Sequence, residues 1–125
     1  INSAVVESGK DHVPVRAQWD TGATGTCISK ELANKLKLIP TGLVNVHTPS
    51  GIGTMNKYMI NLVLNNEVRF VNLSVMDSEI DKQGIDVLIG MDIISNGDFA
   101  VSNYDGKTYF SFRLPSQEHV EYKKK

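Results

Sequence analysis

The stretch VRAQWDTGATGTCIS, Val15 to Ser29, decides how the rest of the chain is read. Val13, Val15, Ala17 and Trp19 alternate with polar neighbours, the period of a half-buried strand. That strand runs into a carboxylate, Asp20, followed by Thr21-Gly22, and apolar character resumes at Cys27-Ile28. Asp and Gly are ordinary turn residues, because Asp bonds back to nearby backbone and Gly accepts positive φ. An acid held in a rigid loop between two strands is equally a placement that catalysis uses. The tripeptide alone does not separate the two readings. At roughly 5–7% usage per residue type, Asp-Thr-Gly is expected by chance in about 2% of chains this long.

Working outward, AVVESGKDHVPVRAQW reads as two strands joined by a turn at Ser8-Gly9-Lys10, with Pro14 suggesting that the second begins at a sheet edge. After the Asp-Thr-Gly loop, Ser29 is a good N-cap for KELANKLKL, a helix from Lys30 to about Leu38. Leu32 and Leu36 share one face of that helix, and Pro40 is expected to end it. VNVHTPSGIGTMNKYMINLVL reads as two strands around a glycine-bearing tip at Ser50-Gly51-Ile52-Gly53, with Tyr58, Ile60, Leu62 and Leu64 on one face. Asn65-Asn66 can supply the positive dihedrals of a tight turn before the strand VRFVNLSVM. A polar loop, DSEIDKQG, follows. IDVLIG is a continuous apolar run, consistent with a strand buried on both faces. MDIISN is a short helix with Gly97 as its stop, and a last hairpin turns at Asp105-Gly106. The expected fold is mainly β with one or two short helices.

With 125 residues the chain is a single domain, residues 1–125, with a core of about 5–114 and a polar tail at 115–125. A net charge of −1 leaves no basic face for nucleic acid. YKKK at the C-terminus reads as a solvated tail rather than a polybasic membrane anchor, and no apolar run approaches the roughly 20 residues of a membrane span. There is no signal-peptide pattern. Cys27 is the single cysteine, which leans towards a reducing compartment and makes the cytoplasm the expected location. His12, His47 and His119 lack the close spacing of a metal site, so neither a metal nor another cofactor is expected. Cys27 followed by Ile28 reads as a small buried thiol rather than a nucleophile. As a thiol outside the chemistry, it is expected to be alkylated with little loss of activity.

Three pieces stand in order: DTGA at 20–23, SGIGT at 50–54 and VLIGMDII at 87–94. Together they resemble the retropepsin-like aspartic proteases, over roughly residues 5–114. GMDII is closer to retrotransposon, cellular and bacterial relatives than to retroviral enzymes. The resemblance implies a closed β-barrel-like fold with a flap hairpin, working as a homodimer. It makes Asp20 the catalytic aspartate in an active-site loop with Thr21, Gly22 and Ala23. Thr21 would bond across to the partner's triplet, and Gly22 would let backbone approach a peptide. Ser50, Gly51, Ile52 and Gly53 would form the substrate-covering flap tip, and Leu88 would line a substrate pocket. Thr24 and Gly25 stand where retroviral enzymes carry acids that hold peptide backbone and a partner arginine, so those contacts do not carry over.

Other residues have plainer readings. Asp92 suits the start of a short helix, Asp86 a strand end near a pocket, and Trp19 the core. Asn72-Leu-Ser matches a glycosylation sequon by pattern only. The chain holds a single Asp-Thr-Gly, so it supplies one carboxylate of a two-carboxylate site. An aspartic endopeptidase built this way is a homodimer acting on a polypeptide substrate. The alternative is the same dimeric fold used for peptide binding or scaffolding without turnover.

Overall fold

The structure, a computed structural model, describes residues 2–80 and 84–122. Among these, nine strands and two short helices follow in the order β1(Asn2–Ser8), β2(Asp11–Trp19), β3(Cys27–Ser29), α1(Lys30–Lys35), β4(Gly42–Thr48), β5(Gly51–Leu64), β6(Arg69–Ser78), β7(Val87–Ile89), α2(Met91–Ile94), β8(Asp98–Tyr104) and β9(Lys107–Arg113). Residues 81–83 of the expected polar loop, and the three lysines of YKKK, lie outside the described residues.

Six strands close a barrel in the order β1-β2-β7-β3-β6-β5, sealed by pairing of β5 with β1. The 14-residue β5 makes closure possible because each part of it has a different neighbour. Its first half pairs with β4, its middle with β6, and its end with β1 through Val6↔Leu62 and Ala4↔Leu64. Tyr58, Ile60, Leu62 and Leu64 all point inward, as their alternation requires. They meet Val6, Ala17, Ile28, Val75, Val87, Ile89 and Ile93 in one core. Each buried Val, Leu or Ile side chain stabilises the fold by about 1.5–3 kcal/mol, and Leu62→Ala would cost about 2–5 kcal/mol through transfer and cavity terms.

Local chemistry sets the edges of the elements. Ser29 caps α1, its hydroxyl accepting from Leu32 N at 3.0 Å. The helix ends earlier than Pro40 suggests. Lys37 takes φ 52°, and Lys37 N and Leu38 N donate to the carbonyls of Asn34 and Ala33. That is a Schellman stop with lysine in the left-handed position, after which Leu38 turns back onto the core. At the β5–β6 turn the left-handed residue is Glu67, φ 69°, rather than Asn65 or Asn66. Asn66 instead accepts from Val68 N and donates to Phe112 O. Pro14 lies on β2 where β1 is the only described neighbour, since β7 pairs with Ala17 to Trp19 alone. It therefore costs no ladder bond on the open side. The Asp105-Gly106 turn is as expected, with φ 52° and 75°. Gly97 does not end α2 through positive φ; a side chain there would sit 2.1 Å from Arg113 O, so space demands the glycine.

β8 and β9 form a separate two-stranded sheet whose base stacks on Trp19. The Trp19 ring lies 5.0 Å from Phe99 and 5.2 Å from Phe112, so Trp19 joins barrel to hairpin and is half-buried rather than central.

Candidate active site

β2 runs parallel to β7 through Ala17↔Val87, Gln18↔Leu88 and Trp19↔Ile89. The ladder ends one residue later, where Asp20 N donates to Ile89 O at 2.9 Å. Asp20 thus leaves a core strand with its backbone fixed and its side chain only half-buried. Its Oδ1 accepts from Gly22 N at 2.9 Å, and Ala23 N donates to Asp20 O at 3.2 Å. A Cβ on residue 22 would lie 3.2 Å from that same Oδ1, so glycine keeps the space beside the carboxylate open. Thr21 and Gly22 are exposed at the loop surface.

The loop is tied from behind by the start of α2. Met91 N donates to Ala23 O at 2.7 Å and Asp92 N to Thr24 O at 3.1 Å. Thr26 is buried. Its N–H donates to Asp92 Oδ2 at 3.0 Å, its hydroxyl donates to Asp92 Oδ1 at 2.7 Å, and that hydroxyl oxygen accepts from Gly90 N at 3.1 Å. Thr24 and Gly25 therefore serve the loop through their backbones.

Leu88 alternates with buried Val87 and Ile89, so it points away from the barrel interior and is half-buried. β7 is thus buried on one face rather than on two. Leu88 pairs with Cys27 on β3, and Cys27 pairs with Met76 on β6, placing three half-buried, apolar or weakly polar side chains on one outer wall. Burial pushes the Cys27 thiol up, and the nearby carboxylates of Asp92, Asp20 and Asp77 add to the rise. Among the described residues, no three His, Cys, Asp or Glu side chains cluster as metal ligands would.

β4 and β5 project as a hairpin, paired from Gly42↔Lys57 to Thr48↔Gly51. The turn falls on Pro49 and Ser50, so the tip lies one residue earlier than the glycines suggest, and Gly51, Ile52 and Gly53 begin the returning strand. Gly51 has φ 128°, and Ile52 is 70% exposed. At the hairpin's base Asp77, 6% exposed, accepts from Tyr58 OH at 3.1 Å and Asn56 N at 3.2 Å. The base of the hairpin is thereby fixed to β6.

The family described as "gag-polyprotein putative aspartyl protease" matches residues 7–96, which takes in the Asp20 loop, the hairpin, α2 and all of the barrel except most of β1. The chain belongs to this family. No curated protein sequence matches it. Among solved structures, a retropepsin-like aspartic protease from Rickettsia conorii superposes with a TM-score of 0.58 at 21% identity, over 87% of this chain and 78% of that one. The protease of simian foamy virus (mac) superposes with a TM-score of 0.55 at 19% identity, over 75% of this chain and 90% of that one. The fold is retropepsin-like.

Within this retropepsin-like frame the sequence-expected residues fall into two groups. Asp20, Thr21, Gly22 and Ala23 follow the end of β2, with Leu88 on the adjoining β7 opposite Gln18, while Ser50 to Gly53 stand at the far end of the projecting hairpin. Asp86 ties strands, accepting from Arg16 N at 2.8 Å. Two residues carry more than their sequence context signals. Asp92 holds the aspartate loop, and Asp77 holds the base of the hairpin. Their partners lie far away in the sequence, so no local pattern announces either.

Proposed function

We propose that the chain is an aspartic endopeptidase that works as a homodimer, one Asp20 from each subunit forming the catalytic pair. The observation that carries this reading is the setting of Asp20. Its backbone is fixed by β7, its loop is held by α2 at Ala23 and Thr24, its side chain is half-buried, and the chain has one Asp-Thr-Gly to offer. Two carboxylates brought close cannot both ionise, so a pair holds one proton between them, a principle for which aspartic proteases are themselves the standard example. The ionised carboxylate takes a proton from water, whose oxygen attacks the peptide carbonyl carbon. The protonated one donates to the carbonyl oxygen. As the C–N bond breaks, a proton passes to the leaving nitrogen, giving a carboxylic acid and an amine.

Thr21 would brace the two loops across the two-fold axis, and Gly22 and Ala23 would leave room for peptide backbone. Ser50 to Gly53 would close over an extended polypeptide, with Leu88 lining a side-chain pocket. Residues 1–125 form one protease domain in this reading. The single cysteine fits work in the cytoplasm.

The test is incubation of wild type and Asp20→Asn with a diverse peptide pool, with products read by mass. Wild type should cut and the variant should fall below about a hundredth of its rate. Sedimentation should give about twice 13.8 kDa, with specific activity falling on dilution. Full activity from a monomer would overturn the dimeric site. Peptide binding without any cleavage would favour the scaffolding alternative.

A further inference from the structure

Asp92 makes contacts that helix capping does not explain. α2 has four residues, and its N-cap, Gly90, has no side chain to offer. The Asp92 carboxylate takes one bond from its own helix, from Ile93 N at 2.9 Å. Its two oxygens also reach across to Thr26, one to the N–H and one to the hydroxyl. Thr26 is 1% exposed and is the last residue before β3, so it is the hinge on which the loop 20–26 returns to the barrel. The Thr26 hydroxyl is used twice, donating to Asp92 and accepting from Gly90 N. Two donors on one residue must meet two acceptors, and at this reach only a carboxylate presents two. An amide offers one acceptor and turns an N–H₂ towards the other donor.

We infer that Asp92 is a positioning residue for Asp20: acting through Thr26, its carboxylate fixes the loop that presents the catalytic aspartate. This rests on the proposed aspartic-protease reading. The backbone bonds from Met91 and Asp92 to Ala23 and Thr24 survive any side chain at 92, so the helix stays docked without the carboxylate. What is lost is the tie at Thr26, and the loop gains freedom at the end opposite Asp20 N. An error of an ångström in a reacting group costs on the order of a hundredfold in rate, whereas substrate held by flap and walls binds much as before.

The experiment measures kcat and KM for Asp92→Asn, Thr26→Val, the double variant and Thr26→Ser, each beside Asp20→Asn. Asp92→Asn and Thr26→Val should each lower kcat by about 10- to 100-fold with KM within about threefold. The double variant should be little worse than either single, because both cut the same tie. Thr26→Ser keeps both donors and should stay within about threefold of wild type. Independently of turnover, amide exchange at residues 22–26 should accelerate in Asp92→Asn while Ile60 and Val75 in the barrel stay protected. Wild-type kcat in Asp92→Asn, fully additive losses in the double variant, or unchanged exchange in the loop each overturn the inference. So does an Asp92→Asn chain that fails to fold, since the carboxylate would then support the barrel rather than the loop. If wild type and Asp20→Asn are equally silent, the protease reading falls, and the exchange measurement still decides whether Asp92 holds the loop.

Discussion

Gly90 lies against the backbone of Gly25: a Cβ at residue 90 would stand 2.7 Å from the carbonyl carbon and oxygen of Gly25 and 2.9 Å from Ala23 O. β7 and the start of α2 can therefore support the Asp20 loop only if residue 90 has no side chain. The obstructing atoms are backbone, so no rotamer change relieves them. Gly90→Ala should lose about 1–3 kcal/mol of stability, the usual cost of overpacking. It should also lower kcat further than the loss of folded protein explains, because the strain falls on the loop. Urea denaturation followed by kinetics at matched folded concentration checks both. Wild-type stability would show that the loop yields freely and is not held by this contact.

At the hairpin tip the same substitution should act on function rather than on stability. Gly51 has φ 128°, where an L side chain is strained, yet the site is open, with nothing within 4 Å of a Cβ. Gly51→Ala would add roughly 1–3 kcal/mol of local strain, relieved by re-forming an exposed tip. Gly53 is equally open but lacks the positive φ, so Gly53→Ala isolates the conformational effect. Catalytic efficiency should drop at least about fivefold for Gly51→Ala and less than about twofold for Gly53→Ala. Melting temperatures of both should stay within about 2 °C of wild type. Equal efficiencies in the two variants would mean that the tip conformation does not govern access to the site.

What the sequence discloses in advance is what short-range physics controls. The alternation before Asp20 and along Tyr58 to Leu64 marks strands because burial there follows a period of two. Asp105-Gly106 is legible because both residues favour the positive φ that the turn needs. Glu67 and Lys37 take positive φ without being turn formers, since Leu64 to Val68 and Ala33 to Leu38 are closed by backbone hydrogen bonds. The tie from Thr26 to Asp92 spans 66 positions and that from Tyr58 to Asp77 spans 19, distances at which spacing carries no signal. Asp20 itself is readable from its tripeptide only as one of two possibilities, and its bond to β7, with Ala23 and Thr24 held by α2, distinguishes a braced loop from a plain turn.

The C-terminal segment is fastened chiefly at the Asp98 carboxylate. Asp98 accepts from Ser116 Oγ at 2.5 Å, Gln117 N at 2.8 Å and Arg113 Nε at 2.8 Å, while Arg113 also reaches Glu118. The Ser116 hydroxyl, the Gln117 N–H and the Arg113 guanidinium hold the Asp98 carboxyl well below the usual carboxylate range. A depressed carboxyl contributes stability above its unfolded value, about pH 4, and loses it as pH falls through the lower folded value. The segment 114–122 should stay fastened from neutrality to about pH 4 and loosen only in stronger acid. Asp98→Asn removes the charge and one acceptor, so Gln117 should exchange its amide at least about tenfold faster at pH 7. Release of the wild-type segment already at pH 5 would assign the fastening to another group.

Cys27 separates two meanings of a thiol beside an active site. It shares a wall with Leu88 and Met76 near Asp20, which alters what alkylation should do. Because burial and nearby carboxylates push the thiol up, little thiolate forms near neutral pH, and labelling should be slower than for free cysteine in the same buffer. Once a bulky maleimide is attached, it occupies the wall and should block cleavage, even though the sulfur takes no part in the chemistry. Cys27→Ala should therefore cut at within about threefold of the wild-type rate and become indifferent to the maleimide. Both measurements are needed, since adduct inhibition alone also fits a nucleophilic cysteine. A loss above about a hundredfold in Cys27→Ala, with the fold intact, would make the thiol a chemical participant and remove Asp20 from its proposed role.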